Sequence, residues 1–270
     1  MTIGVLGLQG DIEENVAATS QALQELHIDG SVDTVRYPEE IEKMDGLILP
    51  GGETTVQSPL AVIQRSLPVI KKRISEGMPV LGTCAGMIML SKRAYDRVVG
   101  DTKQKLIGNL DIVIERNAFG RQNESFEADL AIGMLGKEAF KGVFIRAPAV
   151  SEVGKDVEVV AKLNNKVVAV RQKNIIGTAF HPELTDDHRL HDGAEARPGA
   201  ADPRHGHQRH ADGDQCCYRC ALGVRDHASR YPLHAGESLE GNSGGAATAA
   251  GRGRWPRPRR CRLTCTRRPW

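Results

Sequence analysis

The chain has 270 residues, of which 40% are hydrophobic, 4% aromatic and 26% charged, and its formal net charge is +2. This length corresponds to one large or two small domains and excludes a peptide-sized scaffold. No stretch approaches the roughly 18 consecutive apolar residues of a membrane helix, and the first residues lack the pattern of a secretory signal, so we expect a cytoplasmic protein without membrane contact.

Charge and composition change abruptly near residue 192. Residues 1–191 contain 22 basic and 26 acidic residues, a net charge of −4, whereas residues 192–270 contain 14 Arg, no Lys and 8 acidic residues, a net charge of +6. The last Ile, Phe, Lys and Met all precede residue 192, and five of the six cysteines follow it. We therefore predict one folded domain over 1–191 and a separate tail over 192–270.

Strand and helix patterns alternate in the first part of the chain. An apolar run at 2–8 predicts a buried strand, and a helix over 11–26 follows, with Asp11 as its cap and Glu14 completing a capping box. Further strands are predicted at 32–36, 46–49 and 79–81, with helices at 38–44 and 67–76. This alternation favours a mostly parallel sheet with helices on both faces, whose ligands bind at the carboxyl ends of the strands.

After residue 106 the apolar runs are short and closely spaced. Asn164 and Asn165 stand between two of them as a hairpin turn. We expect these runs to add antiparallel strands to the same sheet, at 110–114, 128–132, 143–145, 157–163, 167–170 and 175–180.

Cys84 lies in the sequence Gly-Thr-Cys-Ala-Gly, directly after the strand at 79–81. This is the setting of a nucleophile elbow with Cys in place of Ser, in which small neighbours permit a tight strand-to-helix turn. A lone cysteine after a buried strand is also common as an inert core residue. The motif predicts a nucleophile only in combination with a base.

His181 and Glu183 follow the last strong strand pattern, at 175–180. There they could serve as a general base and the acid that orients it, at the same sheet edge as Cys84. A solvated turn that happens to contain histidine is the alternative interpretation.

The loop Pro-Gly-Gly-Glu-Thr-Thr at 50–55 ends the third predicted strand. Two adjacent glycines leave backbone N–H groups uncovered, which suits close approach to an oxyanion or a carboxylate, although an ordinary loop has the same composition. The chain has neither a G-x-G-x-x-G nor a Walker sequence, so nucleotide binding is not indicated.

Taken in combination, these motifs resemble the class I (triad) glutamine amidotransferases, and most closely the family of glutaminase subunits of two-component pyridoxal 5′-phosphate synthases. The resemblance covers residues 2 to about 191. It is carried by the segments 3–10, 47–55, 82–86, 115–122, 125–129, 144–148 and 180–185.

The resemblance implies a flavodoxin-like class I amidotransferase fold, a catalytic triad and no cofactor or metal. Cys84 would be the nucleophile, completed by His181 and Glu183, with the backbone N–H groups of Gly52 and Ala85 as oxyanion donors. L-glutamine would be held by Gly52, Glu53, Thr54, Arg116, Ile145 and Arg146. Arginine suits a substrate carboxylate, although structural salt bridges are the alternative for both. The resemblance further implies a barrel-shaped synthase subunit as partner.

Two other functions are left open by the residues. The chain could be the glutaminase subunit of another synthase, such as imidazole glycerol phosphate synthase, or a non-catalytic binding module in which Cys84 is inert.

The resemblance stops after His191, where family members continue into an amphipathic closing helix. The sequence from 192 onward has the composition of an out-of-frame reading of a GC-rich gene, and we expect it to be disordered. A nucleic-acid arm at 252–268 and a metal site among the His and Cys residues at 205–220 lack the required spacing. Loss of the closing helix predicts reduced stability and reduced glutaminase activity.

Overall fold

The computed structural model describes residues 1–119 and 125–191. The predicted tail at 192–270 and the last residues of the motif at 115–122 lie outside them. The helices are α1 (Ile12–Glu25), α2 (Pro38–Ile41), α3 (Thr54–Ile63), α4 (Ser66–Ser75) and α5 (Ala85–Leu90). The strands are β1 (Thr2–Leu6), β2 (Ser31–Val35), β3 (Gly46–Leu49), β4 (Val80–Thr83), β5 (Ser91–Asp96), β6 (Gly100–Asp101), β7 (Leu110–Glu115), β8 (Phe126–Leu130), β9 (Phe140–Phe144), β10 (Ala149–Val153), β11 (Glu158–Leu163), β12 (Lys166–Gln172) and β13 (Ile175–Thr178).

The described residues form one eleven-stranded sheet whose parallel part has the order β2-β1-β3-β4-β13. The predicted parallel sheet with helical crossovers is therefore confirmed. Because β1, β3, β4 and β13 run in the same direction, the loops that follow them all emerge at one edge. The sheet thus gathers at this edge loops that are far apart in the sequence, as in other open α/β sheets.

Successive side chains of the parallel strands point to opposite faces of the sheet, so both faces carry apolar side chains. Ile3, Val5, Ile48, Leu81 and Ile176 are buried on one face, against Ile12 and Val16 of α1. Leu47 and Leu49 of β3 belong to the larger core on the other face, together with Ile70 and Ile74 of α4 and with Met87 of α5. Burial on both faces explains why these strands read as continuous apolar runs.

The second half of the chain follows the prediction only in part. β12 pairs antiparallel with β13, β11 and β10, and β10 with β7, which extends the main sheet as expected. β8 and β9, by contrast, pair with each other in a separate two-stranded sheet, so the prediction that every run joins the main sheet is wrong. The stacked rings of Phe126 and Phe144, with centroids 4.8 Å apart, join the two strands.

Several boundaries and elements also differ from the prediction. β1 ends at Leu6 instead of residue 8. α3, β5, β6 and β10 have no counterpart among the predicted elements. α3 is absent from the prediction because it contains Pro59 and because its first residues, Thr54 and Thr55, belong to the segment predicted as a glycine-rich loop. Within the described residues, no helix is both long and apolar enough to cross a membrane.

Candidate active site

Cys84 occupies a strained turn between β4 and α5. Its backbone has φ +47° and ψ −101°, in the positive-φ region that non-glycine residues rarely adopt. A Cβ added to Gly86 would lie 1.9 Å from the Leu49 carbonyl oxygen, and one added to Gly82 would lie 2.5 Å from Leu90 Cδ1. Both glycines are therefore required by close packing, and the turn holds the cysteine at the sheet edge as the elbow motif predicts.

The cysteine side chain reaches the edge of a small cavity. Cys84 is 7% exposed, and its Sγ lies 4.0 Å from the carbonyl oxygen of Ile145. The first residue of α5 is Ala85, so its backbone N–H is one of those at the start of the helix that lack an intrahelical partner. The thiol and that N–H group are adjacent, as an acyl-transfer site requires.

His181 follows β13 and is fixed by contacts on its Nδ1 side. Its Nδ1 lies 2.9 Å from Glu183 Oε1, and the Glu183 side chain is fully buried. The backbone N–H of His181 donates to the Val143 carbonyl oxygen at 2.9 Å, which ties the turn to β9. The histidine and its acid are therefore held by the fold and do not form a solvated turn.

The ring of His181 strongly favours the protonated form. Burial disfavours the imidazolium, but hydrogen bonding to Asp11, Cys84 and Glu183 outweighs burial and raises the pKa of His181 to about 12. Nε2 is buried and has no hydrogen bond of conventional geometry to any of the described residues. Cys84 and His181 line the same cavity, and hydrogen bonds between catalytic groups often tighten only when substrate is bound.

Asp11 contradicts its predicted role. It precedes α1 as expected, but its side chain makes no capping hydrogen bond. Its Oδ2 instead lies 3.2 Å from Nδ1 of His181. The ligand atoms of Asp11, His181 and Glu183 lie within 4.8 Å of one another, a spacing that could hold a metal ion. Hydrogen bonding of one imidazole N–H to two carboxylates accounts for the same geometry.

The glycine loop is anchored by Gln9, in the loop after β1, and by Gln57 of α3. Gln9 Oε1 accepts from the Glu53 backbone N–H at 2.8 Å, and Gln57 Nε2 donates to the Gln9 carbonyl at 2.8 Å. Gly52 has φ +146°, which favours glycine, and a Cβ there would lie 2.7 Å from Gln9 Oε1. The Gly51 carbonyl accepts from the Asp11 N–H at 3.3 Å. Because a trans peptide directs its C=O and N–H to opposite sides, the Gly52 N–H faces away from Asp11.

These loops enclose a cavity of about 210 Å³ that contains both cationic and anionic groups. Arg116 Nη2 lies 2.7 Å from Glu53 Oε1, and Arg146 also lines the cavity. Burial alone would raise the pKa of Glu53, but hydrogen bonds from Thr55 and the charges of Arg116 and Arg146 lower it. A pocket that contains both guanidinium and carboxylate groups suits a zwitterionic amino acid.

The structure brings the predicted site residues together. The cavity is lined by Gly52, Glu53, Thr54, Cys84, Arg116, Ile145, Arg146 and His181. Glu183 lies behind His181, and Ala85 is buried beside Cys84. Sequence reasoning missed Gln9, Asp11 and Gln57. The first two follow the carboxyl end of β1, and that position in a parallel sheet was a signal that could have identified them.

Comparisons with known proteins agree with this architecture. A profile of the SNO glutamine amidotransferase family matches residues 5–193. The chain is 53% identical over 189 residues to "Pyridoxal 5'-phosphate synthase subunit PdxT" of Nitrosopumilus maritimus, covering 70% of this chain and 92% of that protein. It is 52% identical to the protein of the same name from Archaeoglobus fulgidus, covering 71% of this chain and 96% of that one.

Solved structures also resemble the chain. A glutamine amidotransferase crystal structure is similar with a TM-score of 0.61 and 45% identity, covering 70% of this chain and 94% of that one. The structure of PurLQS from Thermotoga maritima has a TM-score of 0.50 at 16% identity, covering 72% of this chain and 92% of that one, and shares the fold alone.

Proposed function

We infer that this chain, which belongs to the SNO glutamine amidotransferase family, hydrolyses L-glutamine to L-glutamate and ammonia and supplies the ammonia for pyridoxal 5′-phosphate synthesis. The observation that carries this proposal is the cavity in which Cys84, on its strained turn, meets His181 and the glycine loop. The names of the relatives at 52% and 53% identity favour this synthase over that of imidazole glycerol phosphate.

Acylation is the first chemical step of the proposed reaction. The sulfur of Cys84, with its proton on His181, attacks the side-chain carboxamide carbon of glutamine, and the C=O electron pair moves to oxygen. The N–H groups of Gly52 and Ala85 are the proposed donors to that oxyanion. When the tetrahedral intermediate collapses, the C–N bond breaks and the imidazolium of His181 gives its proton to the leaving nitrogen, which departs as ammonia.

Hydrolysis of the thioester completes the cycle. His181 is then neutral and takes a proton from a water molecule, whose oxygen attacks the thioester carbon. The C–S bond breaks, glutamate leaves, and the proton and thiolate are restored to the His181–Cys84 pair. Glu183 accepts a hydrogen bond from Nδ1 throughout, which keeps Nε2 directed at the reacting atoms and stabilises the imidazolium.

Substrate binding is proposed for the charged groups around the cavity. The guanidinium groups of Arg116 and Arg146 are suited to the α-carboxylate of glutamine, and Glu53 to its α-ammonium group. Thr54 lines the cavity, and its buried hydroxyl has no hydrogen-bond partner among the described residues. Ile145 also lines the cavity, and its backbone carbonyl oxygen lies 4.0 Å from Cys84 Sγ.

A synthase subunit is proposed as the partner that receives the ammonia. The relatives are named as subunits of a synthase, which supports a complex. We propose residues 1–191 as the amidotransferase domain, which agrees with a family match that ends at residue 193. A cytoplasmic location stays a prediction.

The test is ammonia release from glutamine by the full chain mixed with the synthase subunit. Cys84→Ala is expected to abolish it, and His181→Ala to lower kcat by several orders of magnitude. Cys216→Ala, which removes a thiol outside the described residues, is the matched control and should leave the rate unchanged. Ammonia release by Cys84→Ala at the native rate would contradict the proposal.

A second measurement separates catalysis from a binding role. A glutamine-analogue electrophile should form one adduct on Cys84, located by peptide mass spectrometry in the presence of the synthase subunit. An unmodified Cys84 would favour the non-catalytic module.

A further inference from the structure

We propose that Asp11 is a positioning residue of this site, whose carboxylate shares the Nδ1–H of His181 with Glu183 while its backbone N–H holds the glycine loop. The proposal rests on the proposed function, because it assigns His181 the role of base. It concerns a residue for which the sequence suggests only helix capping.

The geometry around Nδ1 supports two acceptors for one proton. Glu183 Oε1 lies at 2.9 Å and Asp11 Oδ2 at 3.2 Å from the same nitrogen. The two carboxylates differ in environment, since the Glu183 side chain is fully buried and that of Asp11 is 35% exposed. Glu183 is therefore the stronger partner, and Asp11 adds a second, solvent-moderated negative charge.

The placement of Asp11 is specified by its neighbours. Asn15, which is fully buried, donates from Nδ2 to the Asp11 carbonyl at 2.7 Å and fixes the start of α1. Gly51 has no side chain in the space between the two partners: a Cβ there would lie 2.6 Å from Asp11 Oδ2 and 2.4 Å from His181 Cε1. The approach of Asp11 to the ring depends on that glycine.

A second carboxylate has a defined electrostatic effect on the base. It favours the imidazolium that forms when His181 accepts the thiol proton, and Asp11 is among the groups that raise the pKa of His181 against the effect of burial. It also limits rotation of the ring, because rotation would weaken the contacts of Nδ1 with both carboxylates. The ionisable groups that face His181 or line its cavity are Asp11, Glu183, Cys84, Glu53, Arg116 and Arg146.

The backbone of Asp11 links the base to the oxyanion loop. Its N–H donates to the Gly51 carbonyl at 3.3 Å, which orients the peptide whose other end is the Gly52 N–H. A substitution of the side chain leaves this backbone contact in place. Side-chain variants therefore test the carboxylate alone.

The experiment compares three variants of the full chain, each assayed with the synthase subunit for glutamine-dependent ammonia release. Asp11→Asn removes the charge with little change in size. Asp11→Ser removes the carboxylate but is itself a good helix cap. Glu14→Gln removes an exposed charge from the first turn of the same helix and is the matched control.

Both Asp11 variants are expected to lower kcat/KM about tenfold, chiefly through kcat, because one charge-assisted hydrogen bond to the imidazolium is lost. The basic limb of the pH profile of kcat/KM should begin at lower pH in Asp11→Asn, because the imidazolium loses its proton more easily. Glu14→Gln should match the native chain in both measurements.

The proposal is overturned if Asp11→Ser or a folded Asp11→Asn has native kcat and an unshifted basic limb. It is also overturned if Glu14→Gln shows the same losses, since these would then reflect helix electrostatics. If Asp11→Asn does not fold, Asp11→Ser decides. An inactive native chain under the same conditions would count against the proposed function, whereas an active native chain with unaffected Asp11 variants would count against Asp11 alone.

Discussion

Gly51→Ala would introduce one methyl group between the His181 ring and the Asp11 carboxylate. The new Cβ would lie 2.4 Å from His181 Cε1, whereas ordinary contacts begin at 3.4 Å, so the ring would have to move by about 1.0 Å. Asp11 Oδ2, at 2.6 Å, blocks adjustment on the other side. Gly51 does not have a positive φ, so the effect of the substitution is steric.

A displacement of that size should affect catalysis much more than folding. Misplacing a catalytic group by about 1 Å can reduce the rate about 100-fold, and we expect a loss of that order in kcat/KM for glutamine. Overpacking of a buried site costs roughly 1 to 3 kcal/mol, so the variant should remain folded with a moderately lower Tm.

The assay is ammonia release with the synthase subunit, alongside thermal unfolding of the same preparations. Gly133→Ala is the matched control, because nothing lies within 4 Å of its added Cβ and its φ is not positive. If folded Gly51→Ala retains kcat/KM within about threefold of the native value, then the position of the His181 ring does not control the rate.

Three further predictions concern stability and substrate binding. Gly86→Ala should prevent stable folding, measured by urea unfolding, because its Cβ would lie 1.9 Å from the Leu49 carbonyl oxygen; a fully stable variant would refute the packing argument. Burial, aided by the charge of His188, lowers the pKa of His191 to about 3, so the folded state binds fewer protons than the unfolded state as the pH falls. The contribution of neutral His191 to the free energy of unfolding is therefore complete above pH 6.5 and is about 2 kcal/mol smaller at pH 5. His191→Leu should abolish this decline in stability. Arg146→Met should raise KM for glutamine much more than it lowers kcat, and an unchanged KM would exclude Arg146 from substrate binding.

Local sequence patterns were sufficient to predict the parallel half of the sheet and the three loops that carry the site. Strands buried on both faces are recognisable as apolar runs, because every side chain along them is in the core. Cys84 was recognisable because the glycines at 82 and 86 flank it in the sequence. Gly82 is required by contacts with Gly86 and Leu90 within the turn, whereas Gly86 is required by the carbonyl oxygen of Leu49 on the neighbouring strand β3. His181 and Glu183 were recognisable because both follow the end of one strong strand.

The role of Asp11, by contrast, depends on contacts that form only when the chain folds. A carboxylate before a helix can cap it or turn to another partner, and the local sequence is the same in both cases. Here its carboxylate contacts an imidazole 170 positions along the chain, beside a glycine that leaves room for both.

The pairing of β8 with β9 was beyond sequence reasoning for a similar reason. The alternation of apolar and polar residues in β8 and β9 is compatible with pairing in either sheet. Their pairing with each other is favoured by aromatic packing, because the ring of Phe144 contacts both Phe126 and Phe180. Periodicity specifies which face of an element is apolar, whereas the partner of that face depends on residues brought together only when the chain folds.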